Sequence, residues 1–496
     1  MAWLAIDAGT SVIKSVVYAD DGRELGVARA HTTVLHPQPG WAEQDMREVW
    51  AAVVLTVRQA VAASGDSKEP IRGMVSTAQG DGCWLVDACG QPTGNAILWN
   101  DGRAAGLVER WREEGLVEAC FRRSGSVTYS GLPNAILGWL RRHEPRRVEG
   151  ARWALTCNGW LTACMTGRFA AELSDSANPF GDLVVGEYSL RTLTDFGLAG
   201  QAHLLPPIVA GRDALWELAA GAAEDLGLPP GLPVVAAPYD IVTTAYGSGA
   251  ARAGQACVIL GTTICAEILR SSMVCGGPSM GTTLPLDDGL YLRAMPTLTG
   301  CEALGWAAET LGVEGILALD EMAAAAPGNA SLFFLPYLSP AGERSPFLAP
   351  EASGSFHGFT LRTTREDIAR SVYEGLSFVV KECLDAACEG APLTEVRVSG
   401  GGARSDFWCQ MIADVLDVPV IRPADQENGA RGAYLFAMFV TGEIASIAEG
   451  ADRYVATART FAPDRAARCA YDEAFRTFQQ LRNTSMEQWK RIGRAD

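Results

Sequence analysis

Apolar and polar positions at the start of the chain predict two strands joined by a tight turn. Trp3 to Ile6 is an unbroken apolar run, residues 7–11 are small or polar, and Val12 to Tyr18 is again mostly apolar. Such runs are typical of buried strands, and Gly9 permits a sharp turn. The amides and hydroxyls of this turn can donate to phosphate oxygens, although a simple hairpin turn gives the same pattern.

The same pattern recurs about half the chain later. Cys257 to Leu260 is an apolar strand, Gly261 to Thr263 is a small turn, and Ile264 to Leu269 is a returning strand. A third glycine-rich turn, Gly400 to Ala403, follows another short strand and precedes a helical run from Asp406. The recurrence indicates a duplicated module, and together the turns would form a clamp for a nucleotide.

Helical and strand patterns alternate between these turns. Residues 46–63 carry valines at helical spacing, which predicts an amphipathic helix. The predicted strand from Ile71 to Thr77 leads into a polar Gln79-Gly80-Asp81 sequence, and α/β sheets place ligands at such strand ends. Asp240 likewise stands between a strand and a helix, where an aspartate is most often only the helix cap. Spacing alone therefore does not single out Asp240.

Composition narrows the class of protein. The 496 residues are 48% hydrophobic and 20% charged, which fits an ordered globule with room for two large α/β lobes. A net charge of -17 argues against a broad surface for nucleic acid or anionic membranes. An anionic nucleotide would have to be held locally, by amides and a metal ion.

Cysteine and histidine usage excludes further classes. The 13 cysteines are scattered without a C-x-x-C pair, which argues against structural zinc and a secreted disulfide framework. Reduced thiols in a cytoplasm are the expectation, and no apolar run is long enough to span a bilayer. The five histidines are too dispersed for a metal-binding helix.

The order and spacing of several short motifs resemble the FGGY carbohydrate kinases, two-lobed enzymes of the actin, hexokinase and heat-shock ATPase superfamily. The resemblance runs from Trp3 to about Gly442. Besides the glycine turns, it rests on Pro39 to Asp45, Ala78 to Gly82, Asn95 to Arg103 and Gly342 to Pro346. It implies an α/β fold of two ribonuclease-H-like lobes with a central cleft. Residues 1–249 would form the N-terminal, sugar-binding lobe and residues 250–496 the C-terminal, nucleotide-binding lobe.

The resemblance also implies a set of site residues. The general base would be Asp240, and the substrate-binding residues would be Gln79, Gly80 and Asp81. The ATP-binding residues would be Thr10, Ser11, Gly261, Thr262, Thr263, Gly401, Gly402, Ala403 and Ser405. Asp7 stands where a hydrated Mg2+ would need a carboxylate. Gly80, in place of a bulkier residue, would leave room for the substrate, and Ser174 to Ala177 would form a structural turn nearby.

The chain departs from the family pattern at two places. Ile136 stands where a lysine is common, and Asn158-Gly159 where a Lys-Asp pair is frequent. Both departures weaken the transfer of substrate contacts from this region. The incomplete glycine motif from Gly247 to Arg252 is interpreted as a flexible crossing between lobes, not as a dinucleotide site.

The implied activity is ATP-dependent phosphorylation of a hydroxyl of a small sugar or sugar alcohol, with lobe closure excluding water. Individual motifs are similar to those of erythritol kinases and of L-xylulose kinases. Two alternatives stay open: a non-catalytic ATP-dependent sugar-binding or sensor protein of the same superfamily, and a hydrolase that uses Asp81 and Asp240 as paired carboxylates. The oligomeric state cannot be derived from the sequence, but dimers are common in the family, so the resemblance implies a possible homodimer.

Overall fold

The computed structural model describes residues 1–65, 69–176, 180–183, 185–276, 279–287, 289–326 and 332–492. Ala177, the last residue of the predicted turn from Ser174, lies outside these ranges. The described chain forms two compact units. The first unit comprises Met1–Ala251, Ser271–Leu292 and Glu427–Val455, and the second comprises Arg252–Arg270, Arg293–Gln426 and Ala456–Asp496. The predicted division at residues 249/250 stays a prediction.

Strands occur along the whole chain. Those before residue 250 are β1 Ala2–Ala8, β2 Val12–Ala19, β3 Glu24–His31, β4 Glu43–Gln44, β5 Ile71–Ala78, β6 Trp84–Val86, β7 Ala96–Ile97, β8 Trp153–Leu155, β9 Ala171–Glu172, β10 Gly181–Asp182, β11 Glu187–Tyr188, β12 Ile208–Val209, β13 Leu215–Glu217 and β14 Pro233–Ala236. Those after it are β15 Gln255–Leu260, β16 Ile264–Arg270, β17 Thr282–Pro285, β18 Tyr291–Pro296, β19 Phe333–Leu335, β20 Ser355–His357, β21 Glu395–Ser399, β22 Val420–Pro423 and β23 Thr457–Phe461.

Helices alternate with these strands. The earlier ones are α1 Met46–Ala63, α2 Ala105–Glu113, α3 Leu116–Ser124, α4 Pro133–His143, α5 Pro145–Glu149, α6 Cys157–Thr166, α7 Leu173–Ser176, α8 Leu190–Asp195, α9 Ala220–Leu226 and α10 Asp240–Ser248. The later ones are α11 Glu302–Thr310, α12 Gly315–Ala325, α13 Arg365–Cys388, α14 Asp406–Leu416, α15 Asn428–Val440, α16 Ile447–Tyr454 and α17 Arg465–Ile492. Short 3-10 turns lie at Ala199–Leu204, Gly211–Ala214 and Gly401–Arg404.

The first unit is built on a sheet of strand order β13-β14-β5-β1-β2-β3. Strands β1, β2 and β3 are antiparallel neighbours, whereas β5 runs parallel to β1 and β14 runs parallel to β5. This arrangement fits the ribonuclease-H-like lobe that the family resemblance implies. Strand β1 lies in the interior of the sheet, between β5 and β2. Its residues Trp3, Leu4 and Ile6 are almost fully buried, as the unbroken apolar run predicted.

The sheet of the second unit contains the strand order β23-β22-β21-β15-β16-β18, which matches the first sheet strand by strand, with β15 in the place of β1. Of β18, the residues from Arg293 on belong to the second unit. β15 and β16 are antiparallel, and β21 and β22 run parallel to β15. The duplicated α/β module predicted from the two Gly-Thr turns is therefore confirmed.

Helix α1 shows how local sequence sets these elements. It begins at Met46 because the Asp45 carboxylate accepts a hydrogen bond of 2.8 Å from the Arg47 amide. Its predicted apolar face is buried, with Val49, Val53 and Val57 packed into the core of the first unit. Burial of this face supplies most of the stability of such a helix.

Candidate active site

Asp240 lies at the carboxyl end of β14, as the first residue of α10. Hydrogen bonds from β5 fix this junction: the Thr77 hydroxyl donates to the Pro238 carbonyl at 2.7 Å and lies 3.0 Å from the Thr243 hydroxyl. The Thr243 hydroxyl in turn donates to the Asp240 carbonyl at 3.1 Å. The start of α10 is thereby held against the central strands.

Helix α10 is also fixed by close packing against α15. A Cβ atom at Gly247 would lie 1.8 Å from the Asn428 carbonyl oxygen, and one at Gly432 would lie 1.8 Å from the Thr243 carbonyl oxygen. Only glycine allows these backbones to approach so closely. The prediction of a flexible crossing is therefore wrong for Gly247 and Ser248, which belong to a packed helix, although the chain does pass from the first unit to the second within the predicted stretch, between Ala251 and Arg252.

Burial raises the pKa of the Asp240 carboxyl well above its usual range, and the nearby Asp7, Asp175 and Asp81 carboxylates raise it further. These four aspartates therefore share one electrostatic environment within the first unit. A carboxylate destabilised in this way accepts a proton more readily than an exposed one, which suits a general base.

Asp7 lies near the end of β1, beside a charged cluster. The Lys14 ammonium is 3.7 Å from the Asp7 carboxylate and 3.1 Å from that of Glu427, which also accepts a 3.0 Å hydrogen bond from Arg29. Burial raises the pKa of Asp7, and the Lys14 charge opposes this shift. Lys14 therefore keeps Asp7 more ionised than burial alone would allow.

The surroundings of Asp7 fit a magnesium ion that has a single protein ligand. Among the described residues, no three His, Cys, Asp or Glu side chains group as a metal site. Mg2+ with nucleotides commonly uses one or two carboxylates, and water and phosphate oxygens complete its octahedron. A Cβ atom at Gly429 would lie 2.5 Å from an Asp7 carboxylate oxygen, so this glycine leaves room for the carboxylate at the start of α15.

Thr10 follows Asp7 in the turn, and its hydroxyl is already engaged. It donates to the Gln79 side-chain oxygen at 2.7 Å and accepts from the Trp99 indole at 2.9 Å. Gln79 also donates to the Gln44 side chain at 2.8 Å. Ser11, by contrast, is exposed. The structure thus joins the predicted phosphate turn to the predicted sugar-binding Gln79 through side-chain hydrogen bonds.

Two tyrosine hydroxyls converge on one oxygen of Asp81. Tyr129 donates to it at 2.7 Å and Tyr239 at 3.0 Å. Asp81 has a φ of 53°, a left-handed conformation uncommon for residues other than glycine. The expectation that Gly80 leaves open room is wrong, because the Tyr239 ring fills that space.

Sequence reasoning missed Tyr129, Tyr239 and the setting of Asp175. The tyrosines are 48 and 158 positions from Asp81, and no local pattern marks either of them. Asp175 accepts a 2.9 Å hydrogen bond from Thr156 through one oxygen. Its other oxygen is buried and has no hydrogen-bond partner in the structure described here. Burial, together with the Asp81 charge, raises the pKa of Asp175 to about 7.

Asn158, which stands where the family frequently has a lysine, links two strands of the first unit. It accepts a 2.7 Å hydrogen bond from Ser76 of β5 and donates at 2.8 Å to the Ala237 carbonyl beyond β14. The amide therefore links the two strands whose ends carry Asp81 and Asp240. Asp101 and Arg103, in the family motif from Asn95 to Arg103, form a buried ion pair of 2.9 Å.

In the second unit, the turn at Gly261–Thr263 joins β15 to β16. The Cys301 amide donates to the Gly261 carbonyl at 3.0 Å, which ties the turn to the start of α11. Thr262 is exposed, and neither it nor Thr263 has a side-chain hydrogen bond within the described chain. These two hydroxyls can therefore serve a ligand.

The third glycine turn lies against the end of β15 in the same unit. A Cβ atom at Gly400 would lie 2.6 Å from the Leu260 carbonyl oxygen and 3.2 Å from the Gly261 nitrogen. Gly401, Gly402 and Ala403 form a 3-10 turn, and the Ser405 hydroxyl then caps α14 by accepting a 3.0 Å hydrogen bond from the Trp408 amide. The second unit thus brings together two of the three glycine turns predicted to hold a nucleotide.

Glu343 and Arg344, in the family motif from Gly342 to Pro346, brace a loop of the second unit. The Glu343 carboxylate accepts hydrogen bonds from the Leu298 amide at 2.7 Å and the Arg344 amide at 2.8 Å. Arg344 donates to the Pro296 carbonyl at 3.0 Å. These contacts tie the loop from Gly342 to the end of β18.

The chain belongs to the FGGY family of carbohydrate kinases. The family's N-terminal domain matches residues 2–247, and its C-terminal domain matches residues 256–440. The enzyme is therefore a sugar phosphotransferase, and the family implies ATP as the phosphoryl donor. Its fold class, predicted from the sequence, is confirmed.

Individual relatives cover nearly the whole chain. The chain is 33% identical to the L-xylulose/3-keto-L-gulonate kinase of Escherichia coli (strain K12), over 97% of this chain and 96% of the relative. It is 28% identical to the erythritol kinase of Brucella abortus (strain 2308), over 99% of this chain and 97% of the relative. The crystal structure of xylulose kinase from Rhodospirillum rubrum matches with a TM-score of 0.89 and 26% identity, covering 99% of this chain and 100% of that one.

No helix in the described ranges combines the length and apolar character needed to cross a membrane.

Proposed function

We propose that this kinase transfers the γ-phosphoryl group of ATP to a primary hydroxyl of a small acyclic polyol or ketose, of the erythritol or L-xylulose type. The observation that carries the proposal is the placement of Asp240 at a rigid strand-to-helix junction, in one environment with Asp7 and Asp81. The relatives named above act on L-xylulose, 3-keto-L-gulonate and erythritol by their names, which supports this substrate class.

Asp240 would accept the proton of the attacking hydroxyl. Its raised pKa makes the ionised carboxylate a stronger base, so removal of the proton can accompany bond formation to phosphorus. Gln79, Gly80 and Asp81 would line the acceptor site, with Asp81 already oriented by Tyr129 and Tyr239. An acceptor hydroxyl bound beside Asp240 would then be positioned for attack.

Hydroxyls and amides of the glycine turns would hold the nucleotide. Thr262 and Thr263 offer unengaged hydroxyls, and the backbone of the turn offers amides to the β- and γ-phosphates. Gly401, Gly402, Ala403 and Ser405 would border the α-phosphate, ribose or adenine, where the start of α14 favours negative charge. Thr10 and Ser11 would contribute from the first unit, Thr10 through its backbone because its hydroxyl is engaged.

Asp7 would hold Mg2+ through one carboxylate oxygen. When bound, the metal ion would neutralise charge that develops on the transferring phosphoryl group. The Lys14 ammonium, 3.7 Å from Asp7, adds a positive charge at the same place. The two groups would therefore lower the electrostatic barrier to attack by a hydroxyl.

A screen of ATP with tetritols, pentitols, ketopentoses and glycerol tests the proposal. Coupled detection of ADP should show turnover with at least one tetritol or ketopentose, at rates well above ATP hydrolysis alone. If polyols bind in isothermal titration but no ADP forms, the alternative of a non-catalytic sugar-binding or sensor protein is favoured.

A homodimer and a cytoplasmic location stay predictions of the sequence. Light scattering of the purified protein tests the first, and cell fractionation tests the second.

A further inference from the structure

Gly80 and Tyr239 fit together so closely that position 80 has no room for a side chain while the Tyr239 ring is in place. A Cβ atom built on Gly80 would lie 1.1 Å from Cε2 of Tyr239, 1.9 Å from Cδ2 and 2.2 Å from Cζ. Gly80 does not have a positive φ, unlike its neighbours Asp81 and Gly82. The glycine is therefore required by the space that the ring takes, not by its own backbone conformation.

Three hydrogen bonds fix the Tyr239 ring and its surroundings. The Tyr239 amide donates to the Ser174 hydroxyl at 3.0 Å, and the phenol donates to Asp81 at 3.0 Å. Tyr129 donates to the same Asp81 oxygen at 2.7 Å. Held at both ends, the ring cannot swing away from Gly80 without breaking a hydrogen bond to a carboxylate, which is among the stronger kinds.

The ring occupies the volume next to the proposed base. Tyr239 directly precedes Asp240, and its hydroxyl reaches Asp81 of the proposed acceptor site. Tyr239 is only half-buried, so part of the ring is open to a bound molecule. A ring that is held by Asp81 and belongs to the residue before Asp240 restricts the space in which an acceptor can extend.

We propose that Tyr239 is a specificity-determining residue that limits the chain length of the acceptor, so that short polyols and ketoses are favoured over longer ones. This inference rests on the proposed function and names the feature that sets its substrate class. Gly80 permits the ring to reach this position, and Asp81 and Tyr129 hold it there. An acceptor with a longer chain would have to displace the ring.

The test compares kcat/KM for a tetritol, a pentitol and a hexitol in wild type, Tyr239→Phe and Tyr239→Ala. Tyr239→Ala should raise the hexitol-to-tetritol ratio by roughly 10- to 100-fold, the range that one or two methylene-sized changes in a pocket produce. Tyr239→Phe keeps the ring, so its ratio should stay near that of wild type while all three values fall together. Tyr291→Ala, at a half-buried tyrosine elsewhere in the first unit, is the matched control and should leave the ratio unchanged. An unchanged ratio in folded Tyr239→Ala would overturn the proposal.

Direct binding and thermal melting separate this inference from the proposed function. Titration of the same polyols without ATP gives the ratio of dissociation constants even if no phosphoryl transfer occurs. If wild type binds polyols but transfers no phosphate, the proposed function fails while the size limit is judged by binding. If it binds none of them, both fail.

The packing itself is tested by Gly80→Ala, which should lower the melting temperature by several degrees, with Gly80→Ala/Tyr239→Ala regaining most of the loss. Equal melting of Gly80→Ala and wild type would contradict the steric argument, and with it the proposal.

Discussion

The turn at Gly9–Ser11 in the first unit and the turn at Gly261–Thr263 in the second each join two antiparallel strands, but they use their side chains differently. In the first, Thr10 is hydrogen-bonded to Gln79 and Trp99. In the second, Thr262 is exposed without a side-chain partner in the described chain. The strand-turn-strand arrangement therefore recurs in both units, whereas the first threonine hydroxyl of the turn is structural in the first unit and available to a ligand in the second.

The largest effect is expected outside both turns, at Asp240. Asp240→Asn should lower kcat by roughly 10²- to 10⁴-fold, the usual contribution of a general base, and leave nucleotide affinity unchanged. Because the raised pKa of Asp240 means that its charge opposes folding, the variant should melt no lower than wild type at pH 8. Asp225→Asn, at an exposed aspartate of the same unit, is the control. Undiminished turnover in Asp240→Asn would remove this residue from its role.

Next in size is the loss of a free hydroxyl from the second turn. Thr262→Val should raise the KM for ATP by roughly 10- to 100-fold, since a hydrogen bond to a charged phosphate is lost, while sugar affinity stays the same. Thr457→Val, at an exposed strand position of the same unit, controls for the change of residue type. A KM for ATP equal to that of wild type would show that the second turn does not use this hydroxyl.

The equivalent change in the first turn should act on stability instead. Thr10→Val removes the hydrogen bonds that the Thr10 hydroxyl makes to the Gln79 side-chain oxygen and from the Trp99 indole, which should cost about 1–3 kcal/mol of the free energy of unfolding. The KM for ATP should rise far less than in Thr262→Val. Urea denaturation and ATP kinetics on the same preparations measure both quantities. Equal effects of the two variants on ATP would mean that the turns are not used differently.

The smallest expected effect concerns Asp175. Its folded-state pKa, about 7, lies above the ordinary value of 3.8, so the folded protein binds this proton more tightly than the unfolded chain. Stability contributed by Asp175 is therefore lost as pH rises from about 4 to 7 and is constant above that. Asp175→Asn should gain in melting temperature relative to wild type by a few degrees across this interval. A difference that does not change with pH would contradict the shifted pKa.

Local patterns were enough to predict much of the fold. The duplicated sheet was predicted from the apolar runs in β1 and β15 and from the repeated Gly-Thr turn. A strand buried on both faces has a continuous apolar run, and a helix buried on one face, such as α1, has apolar residues at helical spacing. The prediction for Gly247 was wrong because glycine is common both in loops and where two helices pack closely. The close contact with α15, near Gly432, is visible only in the structure.

Only those parts of the candidate site that lie in short sequence motifs could be predicted. Asp240 and Gln79-Gly80-Asp81 were proposed from the family resemblance, and their places at strand ends are compatible with it, whereas position alone does not single out Asp240. Tyr129 and Tyr239 were missed because their partnership with Asp81 spans 48 and 158 positions and depends on how the chain returns to the sheet. The engagement of the Thr10 hydroxyl was missed for the same reason.

Phosphorus NMR of the protein incubated with ATP, Mg2+ and either erythritol or L-xylulose tests the central claim most directly. The account predicts that a new phosphomonoester resonance on a primary carbon accumulates in step with ADP for at least one acceptor, and that Asp240→Asn abolishes it. Formation of ADP with inorganic phosphate alone, or an undiminished phosphomonoester signal from Asp240→Asn, would contradict it.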